Sequence, residues 1–269
     1  MSLLLLLAAG VFLPLYPLSI LPNLLLQGQV NDTGDPGPAW RRGPGFKAAV
    51  LLCFPVLGVS LVGLATAGMP PEPLILNLFG IWGGLTSVIY AFRLLSAKDG
   101  EIWISHLYSS ALALTWIGIA IGLNPLLPAL GLSVSLLPLV ILLDQLTRRF
   151  GIARCGLYPG LCSSMPLFAY LFIAAALAAI AVPFSPSFFA IAALAFGGVA
   201  ANAALYLVPI GLSWILWTWA GVNLLQGIVW GVPRDDLTYQ DLALGRALGI
   251  GGGLITLGFF GILLVEVAL

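Results

Sequence analysis

The sequence predicts an all-α, polytopic integral membrane protein that forms a single domain over residues 1–269. Two properties of composition support this: 61% of the residues are hydrophobic and only 7% are charged, too apolar a mixture to cover a soluble surface. The third observation is spacing, because apolar stretches of about 20 residues, long enough to cross a bilayer as a helix, recur along the chain.

Nine predicted spans account for most of the chain. They cover residues 2–22, 46–66, 74–94, 103–123, 125–147, 164–182, 187–207, 209–231 and 244–266. The first span is expected to be retained, because it lacks the basic segment and the Ala-x-Ala site of a cleaved signal peptide.

Polar segments mark where the later spans begin. A Gly-, Pro- and Asp-rich connection from Gln27 to Pro44 precedes the second span, and Pro70-Pro71-Glu72-Pro73 precedes the third. Asp99-Gly100-Glu101 opens the fourth, where acidic residues suit a helix N-terminus. Pro183-Phe184-Ser185-Pro186 divides the sixth span from the seventh, and residues 232–243 form the last polar connection.

The first span contains Pro14 and Pro17, which predict that its helix is broken. Each proline removes a backbone hydrogen bond that lipid cannot replace. A broken helix is tolerated beside a water-filled cavity, and in transporters such breaks mark the ion path. The alternative is a kinked helix that packs against neighbouring helices.

Basic residues alternate between the connections and predict an orientation. They are Arg41, Arg42 and Lys47 at the first connection, Arg93 and Lys98 at the third, and Arg148, Arg149 and Arg154 at the fifth. Since basic loops remain cytoplasmic, we expect the N-terminus outside and, after nine crossings, the C-terminus inside. Arg234 and Arg246 in the eighth connection depart from this alternation.

Several functions are not expected from these residues. The chain has no basic tract with interleaved aromatic residues, which argues against nucleic acid as a partner. Cys53, Cys155 and Cys162 form no metal-binding pattern with the single histidine, His106, so we predict neither a metal site nor a bound cofactor. No nucleophile and base are paired in the sequence, so no catalytic residue is predicted and the chain is not expected to be an enzyme by itself.

Four motifs follow one another in a recognisable order. They are Leu15-Tyr16-Pro17-Leu18-Ser19-Ile20-Leu21-Pro22-Asn23, Gly80 to Ala91, Asp99 to His106, and Met165-Pro166 with Phe172, Ala178, Pro183 and Phe188. They resemble motifs of the proton-translocating, antiporter-like membrane subunits of respiratory complex I, Mrp-type antiporters, membrane-bound hydrogenases and inorganic-carbon uptake complexes. The resemblance covers about residues 10–230 and matches the second half of such a subunit, in a truncated and degenerate form.

The resemblance implies that an ancestral proton path is largely lost. Members of the family move protons along buried ionisable residues, which are costly within a membrane and kept for function. Relay positions fall here on Phe12, Ser133, Leu137 and Ile191, none of which titrates. The motif histidine falls on Ser19 and the motif aspartate on Asn23, while Lys47 plausibly matches one relay lysine and Glu101 replaces another.

Four residues remain as candidates for a proton path or its remnant: Lys47, Glu101, His106 and Asp144. Lys47 is either a relic relay lysine at mid-depth or a cation at the helix edge that extends to lipid phosphates. His106 is either a proton carrier or a hydrogen-bonded residue between helices. Asp144 is expected to pair with Arg148, four residues later on the same helix.

The resemblance implies a non-catalytic membrane subunit of a multisubunit, proton-coupled complex. The parent complex would be redox-driven, like complex I or a hydrogenase, or would take up inorganic carbon. Expected partners are a full-length antiporter-like protein, a cytoplasmic peripheral subunit and the lipid bilayer, with a lipid or quinone nearby. The alternative is a free-standing, homo-oligomeric ion or solute transporter that uses Lys47, His106, Asp144 and the first helix break.

Overall fold

The computed structural model describes residues 2–27, 43–68, 71–234, 237 and 239–268, with side chains of the last helix as far as residue 262. Over these residues the protein is all-α, as predicted. The helices are α1 Ser2–Phe12, α2 Ile20–Leu26, α3 Pro44–Gly68, α4 Pro73–Ser96, α5 Gly100–Ala113, α6 Thr115–Ala120, α7 Leu126–Val134, α8 Leu137–Phe150, α9 Leu161–Ser164, α10 Pro166–Ala179, α11 Pro186–Ala200, α12 Leu207–Ile228 and α13 Leu244–Ala268.

The first crossing is a broken helix, as the prolines predict. Helix α1 ends at Phe12 and α2 begins at Ile20. Protein side chains satisfy the backbone groups that the break exposes: Trp116 Nε1 donates to the Leu13 carbonyl at 3.0 Å, and Trp82 Nε1 donates to the Tyr16 carbonyl at 2.7 Å. The break is therefore held against neighbouring helices by indole groups, which replace the hydrogen bonds lost from the helix.

A second broken helix is formed by α10 and α11, which the sequence presents as separate spans. Helix α10 starts at the end of the bundle where Asp241 accepts bonds from its first amides, at Leu167 and Phe168. Helix α11 starts halfway along the bundle, because the Ser187 amide donates to Ser135 Oγ at 2.9 Å, in the middle of the α7–α8 crossing.

The far end of α11 reaches the opposite end of the bundle. There Gly197 packs directly against Leu123, just after helix α6. The segment Pro183-Phe184-Ser185-Pro186 is thus a turn halfway along the bundle, with Pro183 and Phe184 exposed and the other two residues buried. Ser185 caps α11 by accepting a bond from the Phe188 amide, and Ser187 Oγ donates to the Ala178 carbonyl at 2.6 Å, which ties the two half-helices together.

The described residues therefore make eight crossings. Six helical stretches are long and apolar enough to cross a membrane, and the pairs α1–α2 and α10–α11 each supply one more. The nine predicted spans are all helical, but the sixth and seventh share a single crossing. With eight passes, Ser2 and the end of α13 lie at the same end of the bundle, whereas the nine predicted spans would place them at opposite ends.

One end of the bundle carries every described lysine and arginine, and we call it the basic end. The connections that contain these residues contact one another there: Cys155 N donates to the Lys98 carbonyl at 2.8 Å, and Gly156 N donates to the Gly227 carbonyl at 2.7 Å. Arg234 and Arg246 therefore lie at the same end as Arg93 and Arg148 and fit the charge pattern. Arg41 and Arg42 lie outside the described residues.

The crossing formed by α5 and α6 lies at the centre of the bundle, while α13 lies at its edge. In an 18-residue window of each, 89% of the central crossing is buried and 11% of the last helix. Trp103, Tyr108 and Trp116 fill the space around the central crossing, and each is at most 1% exposed. Polar residues on α5 are thereby held away from lipid.

Candidate polar pathway in the bundle

One face of α5 carries Glu101, Ser105 and Ser109, which lie four residues apart. This spacing places the three side chains above one another along the helix. The helix is fixed at its start by Asp99, whose side chain accepts bonds from the amides of Glu101 and Ile102 at 2.8 and 3.4 Å. The cap sets Glu101 at the basic end of the stripe.

Each member of this stripe meets a polar side chain from another helix or its end. Lys47 Nζ on α3 lies 2.5 Å from Glu101 Oε1. Gln27 Nε2, just after α2, donates to Ser105 Oγ at 2.7 Å, and Ser109 Oγ donates to Asn23 Oδ1 at 3.1 Å. We call these three pairs, together with Ser19 and Tyr90, the polar row.

The polar row continues from Asn23 towards the helix break. Asn23 Nδ2 donates to Tyr90 Oη at 3.0 Å and to the Ser19 carbonyl at 2.8 Å. Ser19 Oγ and Tyr90 Oη are 2.6 Å apart. Ser19 and Asn23, where the resemblance expects a histidine and an aspartate, keep hydrogen bonding but supply no charge.

Lys47 lies at the helix edge, in the first turn of α3, but its side chain is buried and bound to Glu101 instead of extending outward. Its side chain is 5% exposed and that of Glu101 is 24% exposed. An ammonium group withdrawn from water needs a carboxylate and further hydrogen bonds to offset its desolvation. Among the described residues, Lys47 is the only lysine, arginine, aspartate or glutamate in the buried class, so the structure depends on its pair with Glu101.

His106 lies beside the polar row and packs against Tyr90, with ring centroids 5.6 Å apart. Its buried Nδ1 has no hydrogen-bond partner in the described part of the chain, so the expected hydrogen bond between helices is not made at that atom. Arg93 turns back along α4, and its guanidinium lies 5.3 and 5.4 Å from the ring centroids of Tyr16 and Tyr90. Tyr90 therefore contacts both the His106 imidazole and the Arg93 guanidinium.

Asp144 forms the predicted pair with Arg148, whose Nε lies 2.7 Å from Asp144 Oδ2. The arginine side chain is 67% exposed, whereas that of Asp144 is 12% exposed. Lys47 and Asp144 are therefore held in separate ion pairs. The transporter alternative requires these two residues to act together, and the structure gives each a different partner.

The four positions predicted to have lost relay groups contribute packing instead. Phe12 packs edge-on against Phe54 with centroids 5.2 Å apart, and Ile191 is 2% exposed in the core. Leu137 begins α8. Ser133 is buried and donates to the Leu51 carbonyl, so its hydroxyl is occupied by a backbone group.

A second polar cluster joins α4, α5 and α12. Ser87 Oγ lies 2.8 Å from Ser213 Oγ, and Ser110 Oγ donates to the Ser87 carbonyl at 2.7 Å. Trp217 Nε1 donates to Ser110 Oγ at 2.8 Å. The cluster is uncharged and suits the role of small interhelical hydrogen bonds, which hold membrane helices in register.

The cysteines show no pairing in the structure. Cys53, Cys155 and Cys162 are free thiols, and the described residues contain no group of three potential metal ligands. Cys155 lies in the connection between α8 and α9, where burial, followed by the nearby Asp99 carboxylate, raises the pKa of its thiol to about 11. This thiol is protonated at neutral pH.

Comparison with known proteins places the fold. No family model matches the sequence. An uncharacterized protein of Aquifex aeolicus (strain VF5) is 23% identical over 193 residues, covering 70% of this chain and 77% of that protein. A chain of the Mrp complex from Dietzia sp. DQ12-45-1b superimposes with a TM-score of 0.82 and 15% identity, covering 99% of this chain and 57% of its own length.

Two respiratory complexes contain similar chains. One is in respiratory complex I from Thermus thermophilus, with a TM-score of 0.78, 20% identity and coverage of 99% of this chain and 57% of that one. This protein has the fold of an antiporter-like membrane subunit. The archaeal membrane-bound sulfane sulfur reductase gives a TM-score of 0.78 at 16% identity, over 97% of this chain and 44% of its counterpart. The chain spans about half the length of these solved relatives.

The predicted resemblance is thus confirmed as a likeness of fold, while most of the polar row was missed. Ser105, Ser109 and Gln27 were not identified from the sequence, and Tyr90 was not connected with Ser19. The four-residue repeat of Glu101, Ser105 and Ser109 is the signal that could have identified the stripe, because residues four apart lie on one face of a helix.

Proposed function

We propose that this chain is a non-conducting membrane subunit of a multisubunit, proton-coupled complex, in which it supports a full-length antiporter-like protein. The observation that carries the proposal is the composition of the polar row. Among the described residues, the row has one ion pair, Lys47–Glu101, at the basic end and continues through uncharged side chains to Ser19 and Tyr90. A proton relay needs groups that bind and release protons along its length.

The relay positions beyond the row support the same function. Phe12, Leu137 and Ile191 have no titratable group, and the Ser133 hydroxyl is bonded to a backbone carbonyl. The fold that carries them is shared with chains of the Mrp complex and of two respiratory complexes. A scaffold of this kind can keep the shape that a partner recognises while losing the path itself.

We further propose that the basic end faces the cytoplasm. All described lysine and arginine residues lie there, which is the charge bias that keeps short loops on the cytoplasmic side. The N-terminus and the end of α13 then both lie outside. The basic end is the surface offered to a cytoplasmic peripheral subunit, and the helix faces are offered to other membrane subunits, to lipid and, in a redox-driven complex, to a quinone pool.

The parent complex is proposed to be redox-driven, with an inorganic-carbon uptake complex as the alternative. Two of the three solved relatives belong to respiratory complexes, which favours the redox type. In this proposal the redox chemistry belongs to other subunits. Proton coupling would reach this chain through its contacts with the antiporter-like partner.

Affinity purification tests the proposal. The tagged chain is extracted from its own membranes in mild detergent, and proteins that remain bound are identified by mass spectrometry, with untagged membranes as the control. We expect a full-length antiporter-like protein together with a redox or zinc-containing peripheral subunit. Recovery of the chain alone as a stable homo-oligomer would contradict the proposal and support the free-standing transporter.

A further inference from the structure

A crevice of about 520 Å³ separates the peripheral helix α13 from α8. Its walls are largely apolar and include Leu137, Ile141 and Ile250. Two glycines and a threonine of α13 form its floor and leave space there. Two of them, Gly249 and Gly253, have nothing within 4 Å of the position that a Cβ would occupy. The gap is therefore real space beside a helix, because no described side chain fills it.

Two polar side chains line this crevice at its basic end, and Thr256 lines it at the other end. Arg246 lines it from the first turn of α13, and Gln145 lines it from α8. Arg246 makes no ion pair or side-chain hydrogen bond with any described residue. The Oε1 atom of Gln145 is buried and lacks a donor within the described part of the chain. Among the described residues, the crevice is thus lined by the Arg246 cation, which has no ion pair, and by the Gln145 acceptor, which has no donor.

The length of the crevice matches one leaflet of a bilayer. Eleven residues separate Arg246 from Leu257, which corresponds to about 16 Å along a helix. The hydrocarbon core of a bilayer is about 30 Å thick, so one leaflet is about 15 Å deep. A molecule with its charged group at Arg246 and an apolar tail reaching Leu257 would lie entirely within the leaflet at the basic end.

We propose that this crevice is a binding site for one anionic phospholipid whose headgroup also carries a hydrogen-bond donor, such as phosphatidylglycerol. The lipid phosphate binds the Arg246 guanidinium, which is a charge-assisted contact. A headgroup hydroxyl donates to Gln145 Oε1, and an acyl chain lies along Gly249 and Gly253. Both unsatisfied polar groups and the apolar space are explained by this single ligand, independently of the proposed function.

The site is tested with phosphatidylglycerol and phosphatidylcholine as probes. The full chain is purified, reconstituted in nanodiscs of defined composition, released, and examined by native mass spectrometry for retained lipid. We expect retention of one phosphatidylglycerol per chain in preference to phosphatidylcholine. The variant Arg246→Gln should lower this retention about fivefold, as expected for the loss of one basic contact with an anionic lipid.

Matched variants separate the site from general effects of charge and helix stability. Gly253→Leu should fill the crevice and prevent retention, whereas Gly252→Leu, where a Cβ also meets nothing within 4 Å but which does not line the crevice, should retain the lipid. Arg154→Gln removes an exposed cation at the basic end and should have no effect. Equal retention of both lipids, or loss of retention in either control variant, would overturn the proposal.

Discussion

At the scale of single residues, the burial of Lys47 is the property of the polar row with the clearest consequence for stability. A lysine near a helix end in a membrane protein usually extends to the interface, yet this one is buried and bound to Glu101. Asp144 and Arg148 show the contrasting case of a pair in which the arginine is mostly exposed. The two pairs have similar nitrogen–oxygen distances, but the cation is buried in one pair and exposed in the other. This difference predicts that the two pairs contribute differently to stability.

Replacement of Glu101 by Gln should destabilise the protein strongly. It leaves the Lys47 ammonium buried without its carboxylate, and breaking a buried pair costs about 3–5 kcal/mol; partial exposure of Glu101 places the expected value near the lower limit. Asp144→Asn is the matched control: Asp144 is itself 12% exposed, but the arginine that it leaves unpaired is 67% exposed and open to water, so the change should cost at most about 1 kcal/mol. Thermal unfolding in detergent measures both.

The double variant Lys47→Leu with Glu101→Gln completes this test. It removes the buried charge together with its partner and should recover part of the stability lost in Glu101→Gln, since apolar replacements of buried pairs are often tolerated. Equal destabilisation by Glu101→Gln and Asp144→Asn would show that the burial of Lys47 does not govern stability.

At the scale of elements, the two broken helices differ in how far the sequence reveals them. Pro14 and Pro17 predict the first break, because two prolines so close together cannot remain within one helix. The second break also lies between prolines, Pro183 and Pro186, but the apolar stretches on both sides are each long enough to be taken as complete spans. The depth of that turn is seen only in the packed structure, where the Ser187 amide donates a hydrogen bond to Ser135 halfway along the bundle.

The first break depends on the indole of Trp116. Trp116→Phe should cost roughly 1–3 kcal/mol of stability, because it leaves the buried Leu13 carbonyl without its donor. Trp219→Phe makes the same chemical change at a side chain that is 60% exposed, and it should be nearly neutral. Thermal unfolding of the two variants compares them directly, and equal shifts would mean that the Leu13 bond does not support the break.

At the scale of the whole molecule, composition and spacing predicted the class of fold, and the motif order predicted its relatives. The number of crossings and the polar row could not be obtained in the same way. Hydropathy measures the length of an apolar segment, not its depth, so α10 and α11 were counted separately. The row is formed by residues far apart in the chain, such as Gln27 and Ser105, and their pairing depends on helix packing.

The number of crossings has a direct test in single-cysteine labelling. In a background where the three native cysteines are replaced by serine, Ile152→Cys reports the connection after α8, Val232→Cys the one after α12, and Asn124→Cys the one after α6. With eight crossings, the first two react alike with a membrane-impermeant maleimide in right-side-out vesicles, and both differ from the third. Opposite accessibility of positions 152 and 232 would contradict eight crossings and support nine.

Proton flux through the purified chain tests the central claim most directly. The chain is reconstituted into liposomes that contain a pH-sensitive dye, a potassium diffusion potential is imposed with valinomycin, and Lys47→Leu is assayed in parallel. We expect that the internal pH changes no faster with the wild-type chain or the variant than in empty liposomes, since the polar row has one ion pair among the described residues. Faster flux in the wild-type chain that is lost in Lys47→Leu would contradict the claim.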